Sequence, residues 1–179
     1  MRMMDLSPAE YRVVLRQYLC AFIQRCFRQL NPQTALAMNW HIEVIAAKLE
    51  ACRRGEIRRL IINVPPRHLK SLCASIAFPA WVLGQNPAAQ ILCVSYAQDL
   101  ADKLARDCRT VMNSNWYKAA FPTRLSTEKK SVQEFVTRNQ GSRLATSVGG
   151  VITGRGADII IIDDPLKPEE ALPRRSEKT

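Results

Sequence analysis

Residues 60–72 read LIINVPPRHLKSL, and this stretch decides the predicted fold. An apolar, β-branched run leads into a polar loop, which ends in Lys70-Ser71 before a mostly apolar segment. A phosphate-binding loop lies in this position, between a strand and a helix. Its usual pattern is G-x-x-x-x-G-K-[ST], and here Val64 and Leu69 take the two glycine positions.

The loop can supply the backbone N–H donors of a phosphate site, although it lacks the glycines that are usual in such a loop. Two prolines at 65 and 66 carry no backbone N–H. The donors would therefore come from the next five residues, Arg67, His68, Leu69, Lys70 and Ser71. Glycine normally allows the unusual backbone angles needed at position 69, and a left-handed leucine costs about 1–2 kcal/mol. The alternative is an ordinary strand-to-helix loop.

Residues 157–165, ADIIIIDDP, are the second informative stretch. Four consecutive isoleucines are typical of a strand that is buried on both faces. Asp163 and Asp164 would then stand at the carboxyl end of the strand, where open α/β sheets bind ligands. Mg²⁺-dependent ATP hydrolysis needs one carboxylate near the metal and one group that orients the attacking water. The alternative is a polar strand end with a turn at Pro165.

The remaining pattern predicts an α/β fold with a parallel sheet flanked by helices. Apolar residues at helical spacing predict helices at 8–30, 40–54, 69–84 and 98–112, with a kink at Pro79 in the third. Strands are expected at 58–64, 90–95, 134–137, 143–147 and 157–164. These elements divide the chain into an N-terminal helical segment (1–39), an α/β core (40–165) and a polar tail (166–179).

Composition limits the class of protein. The chain has 179 residues, 47% of them hydrophobic, which is enough for one domain with a core. The net charge of +10 favours a polyanionic partner such as nucleic acid, although a basic solvated surface is the alternative. No apolar run approaches the ~20 residues that span a bilayer, and the N-terminus has no signal-peptide core. We therefore expect a cytoplasmic protein without a membrane partner.

The six cysteines form no C-x-x-C pair, and the chain has only two histidines. A zinc site is therefore disfavoured. Cys93 lies in an apolar run and Cys73 lies on a predicted helix face, so both are expected to be buried free thiols. Such thiols suit a reducing compartment.

Taken together, the two stretches resemble the ATPase domain of a tailed-phage terminase large subunit, the motor that packages viral DNA. The resemblance covers roughly residues 40–170 and is carried by 64–71, 91–97, 149–158 and 159–167. The block TGRGAD followed by DDP is its more specific part, and PPRHLKS looks like the family's PPRHGKS with Leu69 in place of glycine. The family implies a P-loop NTPase fold of the ASCE type, with ATP and Mg²⁺ as cofactors.

The resemblance also implies roles for the polar residues of both stretches. Lys70 would contact the β- and γ-phosphates, and Ser71 would bind Mg²⁺. Asp163 would be the Walker B carboxylate near the metal. Asp164 would take the place of the catalytic acid that activates water.

Four further residues are candidates by position. Arg67 would sense the γ-phosphate, and Arg155, between two glycines, would be an arginine finger that reaches a neighbouring subunit. The alternative for both is surface charge. Trp40 and His41 begin the helix before the loop, where such motors often contact adenine, and packing is the alternative for this pair.

The implied function is Mg-ATP hydrolysis coupled to translocation of double-stranded DNA into a procapsid, in the cytoplasm of the host cell. The partners would be a portal protein, a terminase small subunit and further copies of the chain in a ring. Terminase large subunits carry a nuclease domain after the ATPase, whereas this sequence ends 15 residues after Asp164. We therefore expect the nuclease domain and the last strands of the core to be absent. Two alternatives are an inactive, truncated prophage remnant that binds DNA or a partner, and a helicase-like ATPase.

Overall fold

The computed structural model of the protein describes residues 6–127, 131–150 and 156–166. Helices fill its first half, namely α1 (Pro8–Gln17), α2 (Leu19–Leu30), α3 (Trp40–Arg53), a π-helix (Leu72–Ala77) and α4 (Phe78–Gln85). The second half contains β1 (Gln90–Ser95), α5 (Gln98–Asn113), α6 (Asn115–Ala120), β2 (Glu134–Val136), β3 (Ser142–Ser147) and β4 (Ile159–Asp163). Each of these helices falls short of the length and apolarity that a membrane crossing requires.

The strands form one sheet in the order β2-β3-β1-β4, so the α/β class is confirmed. β1 runs parallel to β3 and to β4, with Cys93 opposite Ala145 on one side and Ile161 on the other. β2 is antiparallel to β3, which makes the sheet mixed and the prediction of a parallel sheet wrong for this strand. The reason is the short connection between β2 and β3, because so few residues can join only antiparallel neighbours.

The prediction of a strand at 58–64 is wrong. Among the described residues this segment pairs with no strand, although Leu60, Ile62 and Val64 pack against the core and Ile61 is 94% exposed. The side chains of this segment thus alternate between buried and exposed positions as in a strand, but among the described residues the segment has no hydrogen-bonded neighbouring strand. β-branched residues favour an extended backbone, but a strand also needs a partner, which composition does not reveal.

β4 lies at the end of the sheet and pairs, within the described ranges, with β1 alone. Its isoleucines alternate in exposure, so the expectation of a strand buried on both faces is wrong. Ile159 and Ile161 pack against the core, whereas Ile160 and Ile162 are 60% and 61% exposed.

The predicted helix over 8–30 is divided in two at Tyr18, whose backbone is extended (φ −118°, ψ 109°). Side chains from other helices satisfy the backbone groups freed by this break. Trp81 Nε1 donates to Leu15 O over 3.1 Å, and the N–H of Leu19 donates to Glu50 Oε1 over 2.6 Å. Tertiary hydrogen bonds thus override the continuous helical pattern.

Helices and sheet share one hydrophobic core. The ring of Phe22 in α2 meets those of Trp116, Tyr117 and Phe121 edge-on, with centroids 5.4, 6.1 and 5.7 Å away. Ile91 of β1 belongs to the same buried cluster. The core therefore holds the N-terminal helices, the π-helix and the sheet in fixed relative positions.

Cys73 and Cys93 are buried free thiols, as predicted, and Cys108 is buried as well. Burial raises the pKa of Cys73 and of Cys108 from 9.0 to about 12. Between these pH values the unfolded chain loses thiol protons that the folded chain keeps, so stability falls as pH rises.

We expect the free energy of unfolding to fall above pH 9 by about 1.4 kcal/mol per pH unit for each such thiol. Urea denaturation at pH 8.5, 9.5 and 10.5 measures this slope. Cys108→Ala should make the slope shallower, whereas Cys52→Ala, at a partly exposed thiol, should change it less. Equal slopes in the wild type and the Cys108 variant would contradict the assignment.

Candidate functional site

The loop 64–71 forms one wall of a surface cavity of about 610 Å³. The end of α2, the π-helix, one side of α5 and Asp164 after β4 form the other walls of the cavity. Its lining outside the loop includes Phe27, Leu30, Asn31, Lys103, Leu104 and Asp107. Its volume lies within the range of small-molecule sites in proteins, about 300–1,000 Å³.

The backbone of this region is strained at three residues other than glycine. Leu69 has φ +61°, the left-handed conformation for which we expected a glycine at this position. Arg67 has φ +64° and Asp164 has φ +46°. Such conformations cost of order 1–3 kcal/mol each and cluster at functional sites, where the surrounding structure maintains them.

Lys70 connects the loop to the end of β4. Its Nζ lies 3.5 Å from Asp163 Oδ1 and also forms a short ion pair with Asp164 Oδ1. Partial burial lowers the pKa of Lys70, but the two carboxylates raise it by more, so its pKa lies above the ordinary value. The Lys-Ser loop and the Asp pair, which are separated by more than 90 positions in the sequence, therefore meet in one charged cluster.

The two carboxylates differ in their surroundings. Asp163 is 4% exposed, its Oδ2 accepts a hydrogen bond from Ser75 Oγ over 2.9 Å, and its Oδ1 has no hydrogen-bond partner among the described residues. The side chain of Asp164 is 53% exposed, and its carbonyl oxygen accepts a hydrogen bond from the N–H of Tyr96. A buried carboxylate suits a fixed role near a metal, and an exposed one suits contact with a reacting water.

These residues fit Mg²⁺ and a nucleotide phosphate. Asp163 Oδ1 is buried without a close hydrogen bond, since Lys70 Nζ lies 3.5 Å away, and an ion or an ordered water would satisfy it. Lys70 and Ser71 line the cavity, and Ser71 immediately precedes the π-helix. No group of three or more His, Cys, Asp or Glu suited to a metal lies within the described ranges. Mg²⁺ at nucleotide sites uses only one or two carboxylates together with substrate phosphates and water.

Of the other predicted site residues, some line the cavity and others do not. Arg67 and His68 line the cavity, and His68 Nδ1 lies 2.9 Å from Pro66 O. His41 contacts the loop through the His68 ring, with 5.3 Å between the ring centroids. Trp40 is 71% exposed and is not part of the cavity wall. Arg155 lies outside the described residues.

Sequence reasoning missed the residues that α2 and α5 contribute to the cavity. Neither Asn31 nor Lys103 was among the predicted site residues, although both line the cavity. Ser75, which donates to Asp163, was also missed. Nothing in the local pattern indicates these contacts, because they depend on how the helices pack over the loop.

Replacing Leu69 by glycine should tighten Mg-ATP binding by up to about tenfold, or about 1.4 kcal/mol, because without a Cβ at position 69 the N–H groups of the loop can approach the phosphates more closely. Global stability should not rise in parallel, since the Leu69 side chain packs partly against the core. Isothermal titration calorimetry and urea denaturation measure the two effects. Leu69→Asn is the matched variant, because asparagine tolerates the same backbone and keeps a side chain. An unchanged or weaker affinity in Leu69→Gly would exclude obstruction by the Leu69 side chain as the limiting factor.

The site thus combines a strained loop before a helix, one lysine and two unequal carboxylates beside a cavity. The sequence matches no model of a known protein family and no curated protein. Its chemistry must therefore be inferred from these groups.

Proposed function

We propose that this chain is the Mg²⁺-dependent ATPase domain of a DNA-packaging motor of the terminase type, with a P-loop NTPase fold. One observation carries the proposal. Lys70, from a loop that precedes a helix, meets Asp163 and Asp164 at the carboxyl end of a neighbouring strand. Phosphoryl transfer from ATP needs a cation at the outer phosphates, a carboxylate near the metal and a group that orients water.

In this proposal, backbone N–H groups and polar side chains at or next to the cavity each take one role in binding or hydrolysing ATP. The N–H groups of the loop and the Lys70 ammonium would bind the phosphates, and Ser71 and Asp163 would hold the metal. When bound, Mg²⁺ would neutralise phosphate charge in the transition state. Asp164 orients the attacking water and accepts its proton, while Arg67 contacts the γ-phosphate.

Lys70 cannot contact Asp164 and the phosphates equally well. Its short ion pair with Asp164 therefore competes with substrate. Transfer of the ammonium to the phosphates leaves the Asp164 carboxylate available to the water. The same movement would thus bind the substrate and release the base.

The partners follow from the charge and from the resemblance. A net charge of +10 favours binding to the phosphates of double-stranded DNA without base readout. A portal protein, a small subunit and a ring of copies in the host cytoplasm are part of the same proposal. Arg155 is proposed to act on a neighbouring copy's site.

The test is hydrolysis of Mg-ATP by the purified chain, with and without linear double-stranded DNA. A rate that DNA stimulates supports the motor. Micromolar Mg-ATP binding without turnover would reduce the proposal to a nucleotide-binding remnant. Salt-sensitive DNA binding by a folded chain that binds no ATP would overturn it in favour of a DNA-binding remnant.

A further inference from the structure

Ser75 is a buried residue that links the π-helix to the carboxylate pair. It is 1% exposed, and its hydroxyl donates to Asp163 Oδ2 over 2.9 Å. This bond commits one oxygen of Asp163. The other oxygen, Oδ1, lies 3.5 Å from Lys70 Nζ.

The backbone around Ser75 departs from α-helical hydrogen bonding. Pro79 lies four residues later and has no N–H, so it cannot donate the usual α-helical bond to Ser75 O. Arg143 Nη2 donates to this carbonyl over 3.1 Å. The N–H of Phe78 donates to Cys73 O, five residues back, which is the wider π spacing. π-turns are frequent at functional sites.

Arg143 is a second buried polar group, and it contacts Ser75. It lies on β3, its side chain is fully buried, and its Nε and Nη1 have no hydrogen-bond partner among the described residues. Its Nη2 donates to the carbonyl oxygen of Ser75, the residue that holds Asp163, and its side chain also interacts with the Cys93 thiol. Arg143, Ser75 and Asp163 form a continuous chain from β3 through the π-helix to β4.

We infer that Ser75 is a positioning residue for Asp163, and that Arg143 fixes Ser75 from the opposite side. By occupying Oδ2, the Ser75 hydroxyl keeps Oδ1 turned toward Lys70, on the side where a metal or its bound water would need it. The relevance to Mg²⁺ rests on the proposed function. The role of Ser75 in orienting the Asp163 carboxylate is independent of the proposed function.

The test compares Ser75→Ala, which lacks the donor, with Ser75→Thr, which keeps it. ATP affinity is measured by calorimetry with Mg²⁺ and with EDTA. Mg²⁺ raises the affinity for ATP by a certain factor, and in Ser75→Ala this factor should be about tenfold or more smaller than in the wild type. A loss of this size is typical when a group that orients a metal ligand is removed. Affinity in EDTA should stay unchanged, because the loop and Lys70 are intact. Ser75→Thr should keep most of the Mg²⁺ gain.

Thr123→Val is the matched control. Thr123 is also buried, and its hydroxyl donates to Leu83 O over 2.9 Å and to Gly84 O over 3.2 Å. This variant removes a buried hydroxyl at the far end of α4 and should keep the full Mg²⁺ gain. A full gain in Ser75→Ala, or equal losses in Ser75→Ala and Thr123→Val, would overturn the inference.

Crystal structures of the wild type and Ser75→Ala, without nucleotide, separate this inference from the proposed function. In the variant, the Asp163 carboxylate should rotate away from its wild-type orientation or occupy several orientations. An unchanged, single orientation would overturn the positioning role. If the wild type binds no ATP with or without Mg²⁺, the proposed function fails, and the crystal structures alone decide the role of Ser75.

Discussion

Lys70→Ala should weaken Mg-ATP binding by about a hundredfold or more. The ammonium is the cation that joins the loop to Asp163 and Asp164, and in the proposed function it moves to the outer phosphates. A hydrogen bond to a charged group contributes about 1.5–3 kcal/mol, and 1.4 kcal/mol is a factor of ten in affinity. The variant also leaves two neighbouring carboxylates without a counter-ion, which repels the negative phosphates further. Calorimetry with Mg-ATP measures the loss.

Lys103→Ala is the matched control for this experiment. Lys103 also lines the cavity, but it lies on α5 and pairs with Asp107 over 3.2 Å on the surface. Surface ion pairs contribute at most about 1 kcal/mol, so the affinity should change by no more than a few-fold. Circular dichroism shows whether both variants are folded. Equal affinities in the two variants would mean that the loop does not bind phosphate through Lys70.

Asp164→Asn should abolish most hydrolysis while ATP binding persists. An amide cannot accept the proton of the attacking water, and loss of a general base typically lowers the rate by about 10²–10⁴-fold. Binding should become slightly tighter, because the ion pair that holds Lys70 away from the phosphates is weakened. Single-turnover hydrolysis and calorimetry measure the two effects separately.

Asp158→Asn tests whether the effect is specific to the carboxyl end of β4. Asp158 immediately precedes β4, at its opposite end, and its Oδ2 accepts a hydrogen bond from the N–H of Gln90 over 2.8 Å. An asparagine there still offers an oxygen, so hydrolysis should be unchanged. If Asp164→Asn lost binding and hydrolysis equally, Asp164 would have a structural role instead of a catalytic one.

The meeting of Lys70 with Asp163 and Asp164 was predictable from the two motifs, although the strand expected before the Lys70 loop pairs with no described strand. The left-handed backbone at Leu69 was predictable for a similar reason, since the motif places a glycine there. β1 and α3 follow directly from local periodicity, and the structure places them where the pattern does.

The remainder depends on contacts between distant residues. The break at Tyr18 is maintained by Trp81 and Glu50, which lie 31 or more positions from the groups they bond. Ser75 contacts Asp163 across 88 positions of the sequence and lies in a π-helix, where Pro79 predicted only a kink. Periodicity describes each segment alone, so it cannot show which side chain completes a neighbour's hydrogen bonds.

The position of β4 at the end of the sheet has a consequence for the protein in concentrated solution. Among the described residues β4 has a strand neighbour on one side only, and a strand of this kind with exposed apolar side chains, here Ile160 and Ile162, is a template for self-association. A net charge of +10 opposes this, because copies of the chain repel one another. Salt screens that repulsion, with a Debye length of about 8 Å at physiological ionic strength and about 3 Å at 1 M. Added salt should therefore promote aggregation of this protein, and low ionic strength should keep it monodisperse.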